Sequence, residues 1–332
     1  MSSQRYIKLK NLEQFLSLEN LDYSEIELQL NNSLLDYSSS EQFALKLKNF
    51  SQLTKLALRM ALYQLKTDIG SILGEGLSEI SNLQNLDLNL EPCIDADQNI
   101  FGLINLLTYC IKLNSLKIQL KGNQLQHCSL QNITQRIQKC KDLTDLSLNL
   151  SECWIDDDGV QILSSVLTEF QHLTNINLNL SCNFIGVKGV IELGKHLSSV
   201  KNIQKFQLSM NYNHFKNAGI SNLIEQLTQC RNIQFLDLQL EKNKLTGQYF
   251  SDFSSQFGKF VNLQILILSF VQNDIQDEEL IQFGKNLKRM KILKHFSMNL
   301  EGNNLSWEGL NKFIQNILKI KMLVEYLITY YY

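Results

Sequence analysis

A leucine or isoleucine returns every 30 residues along this chain, at Leu53, Leu83, Leu113, Leu143, Leu173, Ile203, Ile233, Leu263, Leu293 and Leu323, with no insertion or deletion between copies. Tyr23 opens the series, which makes 11 copies. A fixed period of this size marks a stacked-repeat solenoid, because one such unit cannot bury its own apolar face and must stack on its neighbours. The unbroken register outweighs the two domains that a chain of 332 residues would otherwise suggest. It predicts one elongated domain with a continuous core.

The repeat at residues 173–200 reads LTNINLNLSCNFIGVKGVIELGKHLSSV. Ile176, Leu178 and Leu180 alternate with Asn177 and Asn179, the period-2 pattern of a strand with one buried face. After a turn, Val190, Leu193, Leu197 and Val200 recur at spacings of three and four, which predicts a helix of about three turns. The Leu193 position is occupied by Leu73, Leu103, Ile133, Leu163, Leu223 and Phe253 in other copies, never by a polar residue. Each copy therefore reads as strand, turn and helix.

The turn position of Asn183 carries Cys93, Asn123, Cys153, Asn213, Asn243, Asn273 and Asn303 in other copies. A side-chain amide here can satisfy backbone groups where the chain leaves the sheet, and cysteine is the smaller, less polar substitute. The run Leu178-Asn-Leu180-Ser-Cys-Asn183-Phe-Ile185 resembles the leucine-rich repeats of ribonuclease-inhibitor type, whose pattern is LxxLxLxxN/CxL followed by a helix. The resemblance spans roughly residues 21–332. It departs from the family by one extra apolar-polar pair, giving a 30-residue variant in place of the usual 28 or 29. It implies an α/β leucine-rich-repeat solenoid, a right-handed horseshoe with a parallel sheet on the concave face and helices on the convex face. Strands about 4.8 Å apart beside helices about 9 Å apart require curvature, on the order of 20–25° per repeat. The resemblance carries no catalytic residue to transfer.

Residues 1–20 read as an N-terminal capping helix, with Leu9, Leu12, Phe15 and Leu16 as its apolar stripe, and 21–332 as the repeat domain. The last strand, Leu323-Val-Glu-Tyr-Leu-Ile-Thr-Tyr-Tyr-Tyr332, has no cap. Either the chain continues in a longer protein, or this edge is an assembly surface.

A net charge of −2 gives no general pull toward nucleic acid or an anionic membrane. Concave lysines and arginines are few and mixed with acids, so no basic stripe is expected there, and neither nucleic acid nor membrane is expected as a partner. No stretch approaches the roughly 18 apolar residues of a membrane span. The start lacks the apolar run of a signal peptide, and cysteines placed by repeat register, such as Cys110, Cys140 and Cys230, read as structural thiols; both predict a cytoplasmic protein, or a nuclear or cytoskeleton-associated one. The five histidines fall at different repeat positions, His127 beside Cys128 lacks zinc-ligand spacing, and Gly159, Gly189, Gly219 and Gly309 share a helix-start register and read as structural. No catalytic residue, metal or cofactor is expected, and the chain reads as a non-enzyme.

Function is then expected on the concave face. Gln29, Asn89, Gln119, Asn149, Asn179, Gln239 and Asn299 share one column and read as an amide ladder bonding strand to strand, with a polar binding floor as the alternative. Glu25, Glu27, Lys55 and Arg59 make a mixed-charge N-terminal end. Phe235, Ile265, Ile267 and Val271 occupy outward positions, with Tyr212 at a strand exit and Tyr330 on the last strand. Apolar groups on a solvent-facing sheet predict a protein partner. The leading expectation is a non-enzymatic scaffold. The alternatives are a GTPase activator resembling the Ran GTPase-activating proteins, with Arg59 as the sole concave arginine, or a docking part of a larger protein.

Overall fold

The structure, a computed structural model, describes residues 5–30, 36–60, 72, 75–77, 79, 80, 82–90, 104–108, 110 and 112–331. Leu73, Pro92, Cys93, Leu103 and Tyr332 lie outside them. The chain divides into two compact units, Met1–Trp154 with Glu169–Leu173, and Ile155–Thr168 with Thr174–Tyr332.

The first unit holds β1 (Tyr6–Leu9), α1 (Leu12–Leu16), β2 (Glu25–Leu30), α2 (Tyr37–Leu47), β3 (Lys55–Met60), β4 (Asn85–Asn89), β5 (Ser115–Gln119), α3 (His127–Ile137) and β6 (Asp145–Asn149). The second holds α4 (Asp157–Ser165), β7 (Asn175–Asn179), α5 (Val187–Leu197), β8 (Lys205–Ser209), α6 (Lys216–Leu227), β9 (Phe235–Gln239), α7 (Gly247–Gln256), β10 (Ile265–Ser269), α8 (Asp277–Leu287), β11 (His295–Asn299), α9 (Trp307–Ile317) and β12 (Glu325–Thr329). Within each unit every strand pairs in parallel with the next in sequence. From β2 onward the partners stand one repeat apart, as in Asn85↔Ser115 and Lys205↔Phe235. The expected class, parallel strands alternating with helices on the repeat period, is the observed one. Among the described residues no helix is long and apolar enough to cross a membrane.

Residues 5–20 differ from the expected capping helix. Leu9 ends a strand, β1, whose Tyr6–Leu9 pairs with Glu25–Leu28. The helix begins only at Leu12, because the Asn11 side chain accepts from the Gln14 N–H and stops the chain from winding earlier. Phe15 is fully buried, with its ring 5.0 Å from Phe43 and 5.5 Å from Phe50.

The core lies between sheet and helices. Ile176 and Leu178 are buried, as are Val190, Leu193, Leu197 and Val200. In the second unit the larger rings of Phe250, Phe253, Phe257, Phe270 and Phe283 fill this layer; they meet edge-on or tilted at centroid distances of 5.1–5.6 Å, with Phe253 and Phe283 stacked at 6.0 Å.

The turn after each strand is held by the asparagine column. Buried Asn213 donates from Nδ2 to the carbonyls of Leu180 (2.9 Å) and Met210 (3.1 Å), and its Oδ1 accepts from the Ile185 N–H (3.0 Å). Asn243, Asn273 and Asn303 repeat this donation to the strand end one repeat earlier. Cys153 reproduces half of it, with Sγ donating to the Leu120 carbonyl (3.0 Å). Cys140 and Cys230 likewise point at backbone carbonyls, and burial pushes their thiols up to about 12 and about 11.

Candidate functional site

Parallel strands leave alternate side chains on the face away from the helices. In the second unit the first outward column runs Asn175, Lys205, Phe235, Ile265, His295, Glu325, and the next runs Asn177, Gln207, Asp237, Ile267, Ser297, Leu327. Phe235 and Ile265 are register partners on adjacent strands, and Ile267 stands two residues beyond Ile265 on the same face. These three form one contiguous apolar patch, each side chain half-buried between its neighbours. The Lys205 ammonium lies 4.8 Å from the Phe235 ring centroid, a cation–π contact at the margin of the patch. Beside Ile267, Asp237 accepts from the Nε2 groups of Gln207 (3.2 Å) and Gln239 (2.5 Å).

The other expected residues do not join the patch. Val271 follows Ile267 by four residues, about 13 Å along the strand. The ladder bonds Lys242 N–H to Val271 carbonyl and Gln272 N–H to Glu301 carbonyl set it between Glu241 and Glu301. Tyr212 stands at the opposite strand end from Phe235, at a left-handed φ of 56°, with the Lys242 ammonium 4.8 Å from its ring centroid. Tyr330 occupies the repeat position of buried Leu300, and its Oη donates to the Leu305 carbonyl, so it is turned to the helix side and away from the open face. Leu327, missed in the sequence, is exposed in the same column as Ile267, with Ser297 between them. Its outward parity was legible, but the strand was read as an edge and not as a face.

The amide column behaves differently from a strand-to-strand ladder at three of its members. Oδ1 of Asn149 accepts from the Ser151 N–H (3.2 Å) and Oγ (2.9 Å), Asn179 from the Ser181 N–H (3.1 Å), and Asn299 from the Glu301 N–H (3.1 Å). Each carbonyl is spent two residues ahead in its own chain, the usual local bond of asparagine where a strand ends.

The mixed charges of the first unit form a continuous ionic row. Glu27 accepts from Lys8 Nζ (2.9 Å), Arg59 Nε (3.1 Å) and Tyr6 Oη (3.1 Å). Asp87 lies 3.9 Å from Arg59 and 3.2 Å from Lys117. The Lys8 bond, with those from Arg59 and Tyr6 acting against burial, holds the Glu27 carboxyl at about 2. Arg59 is thus clamped between two carboxylates.

Parallel strands, a helix layer and one solvent-facing sheet surface define the class: an α/β repeat solenoid. No family model matches the chain, and no curated protein matches it. Among solved structures, a protein of Bacteroides fragilis is similar at 12% identity over 89% of this chain and 70% of that one, with a TM-score of 0.49.

Proposed function

We propose that this chain is a cytoplasmic, non-enzymatic interaction protein with leucine-rich repeats of ribonuclease-inhibitor type, and that it holds a protein partner against the open sheet face of its second unit. The observation that carries this reading is the contiguity of Phe235, Ile265 and Ile267 on a face whose other outward positions, Leu327 and Val271 aside, are polar. Apolar anchors rimmed by polar side chains are the usual make-up of a docking surface. The buried thiols suit a reducing compartment. The pairing of Arg59 with Glu27 and Asp87 weighs against an arginine-based version of the GTPase-activator alternative.

The test is affinity capture from native lysate with the intact chain and with a Phe235→Ser/Ile265→Ser/Ile267→Ser variant, both checked for folding by circular dichroism. A protein retained by the first and lost by the folded variant supports the reading. Identical captures by both reject the patch as the docking site.

A further inference from the structure

The turns that lead into β8–β12 carry a one-signed charge that the reading of the strands alone passes over. Residues 198–205, 228–235, 258–265, 288–295 and 318–325 together contain ten lysines and arginines and a single carboxylate, Glu325. The turn before β11 carries Lys288, Arg289, Lys291 and Lys294, and the turn before β12 carries Lys319 and Lys321. All six are exposed except Lys294, which is half-buried. Among the described residues none of these ten cations is paired with a carboxylate. Where partners exist they are neutral, as for Lys201 on the Ser198 carbonyl (3.2 Å) and Lys294 on Gln264 Oε1 (3.0 Å).

Cations at helix C-termini complement the helix dipole. That explanation applies equally to the first unit, where the outcome differs. Residues 48–55, 78–85, 108–115 and 138–145 hold five lysines and three carboxylates. There Lys48 meets Glu79 (4.0 Å), Lys55 meets Glu25 (3.1 Å) and Lys141 meets Glu169 (3.4 Å). The dipole accounts for a basic bias, not for the near absence of acids from these turns of the second unit.

We propose that these basic turns receive an acidic, apolar-containing protein segment, which runs from the turns onto the Phe235–Ile265–Ile267 patch. The proposal deepens the docking reading above and rests on it for its apolar half. Charge complementarity selects an acidic partner. Continuity selects one that reaches both surfaces: Lys205 lies over the Phe235 ring, and His295 stands in register beside Ile265. The exposed apolar groups among the cations, Val261, Leu318, Met322 and Val324, are aliphatic. Single-stranded nucleic acid is instead held by exposed aromatic platforms.

The test measures binding by fluorescence anisotropy with four probes: a synthetic peptide alternating Glu and Leu, the same peptide with Lys for Glu, oligouridylate, and vesicles containing phosphatidylserine. The Glu-Leu peptide is expected to bind in a salt-sensitive manner. A Lys288→Glu/Arg289→Glu/Lys291→Glu variant is expected to weaken it by about tenfold. Lys139→Glu/Lys141→Glu in the first unit, equally exposed, is expected to leave it unchanged. Weakening by the turn variant and not by Phe235→Ser/Ile265→Ser keeps the basic site and rejects the apolar patch. Weakening by the patch variant alone does the reverse. Failure of the Glu-Leu peptide to bind, equal binding of the Lys-Leu peptide, or tighter binding of oligouridylate or vesicles through the same residues overturns the proposal.

Discussion

Asn213 shows how one side chain joins two successive turns. It is fully buried, and its amide bonds the Leu180, Met210 and Asn211 carbonyls and the Ile185 N–H. Asn183 and Asn243 also donate to the Leu180 and Met210 carbonyls, so replacing Asn213 with leucine preserves the volume and strands chiefly the Ile185 N–H, at a cost of about 2 kcal/mol. Asn213→Cys should cost less, because a thiol can still donate to a carbonyl as Cys153 does, while the Ile185 N–H loses its acceptor. Urea unfolding of the two variants would rank them, and an equal cost would remove the amide from the explanation. This role was legible in the sequence, since only a polar, turn-seeking residue confined to one register could be serving backbone. The left-handed residues Glu152, Cys182, Tyr212, Lys242 and Gln272, with φ of 50–59°, were not legible. Their column holds every kind of side chain, and only Gly122 and Gly302 in it signal the conformation.

Glu27 gives a pH signature at the same scale. Its folded value lies below its ordinary 4.5, at about 2, so its stabilising contribution is complete above about 4.5 and is lost as pH falls through about 2. Solvent screens its partners, which limits the effect to about 1 kcal/mol. Glu27→Gln should remove that part of the acid sensitivity and leave stability at neutral pH lower by a similar amount. Identical acid-unfolding curves would show that the row of charges contributes nothing measurable.

Successive helices of the second unit interlock through their first turns. Asp277 Oδ1 accepts from the Ser306 N–H (2.8 Å), reaching from the start of α8 to the start of α9. Gly309 makes room for it, since a Cβ there would lie 2.0 Å from that oxygen. Asp157 and Gly189 repeat the arrangement between α4 and α5, with Asp157 Oδ1 taking the Gly186 N–H (2.7 Å) and standing 2.6 Å from where a Gly189 Cβ would be. Gly309→Ala should therefore destabilise by about 2 kcal/mol, with part of the loss recovered in Gly309→Ala/Asp277→Ala. Additive losses in thermal unfolding would contradict the clash. The sequence marked these glycines as structural by their register. It could not give the reason, because the carboxylate they admit belongs to the preceding repeat and alternates with Val187, Gly247 and Trp307 at its own position.

At the scale of the whole molecule, the 30-residue period was enough to predict parallel strands alternating with helices, because burial acts identically on every copy. The proposed docking departs from that uniformity, so it is sought where copies differ. Phe235, Ile265 and Ile267 were visible as apolar residues at outward parity, and the register brings them together. Tyr330 shares the parity of buried Leu300, and its bond to the Leu305 carbonyl turns it to the helix side, a position that counting along the last strand makes legible. The basic turns were passed over because cations were sought along the strands and not before them. The most direct measurement places a photoreactive benzoyl-phenylalanine at Ile267, and separately at exposed Glu278 on α8, and irradiates each folded protein in native lysate. A protein adduct formed from position 267 and absent from position 278 is the expected result. Adducts of equal yield and identity from both, or none from 267, would contradict docking on the open face.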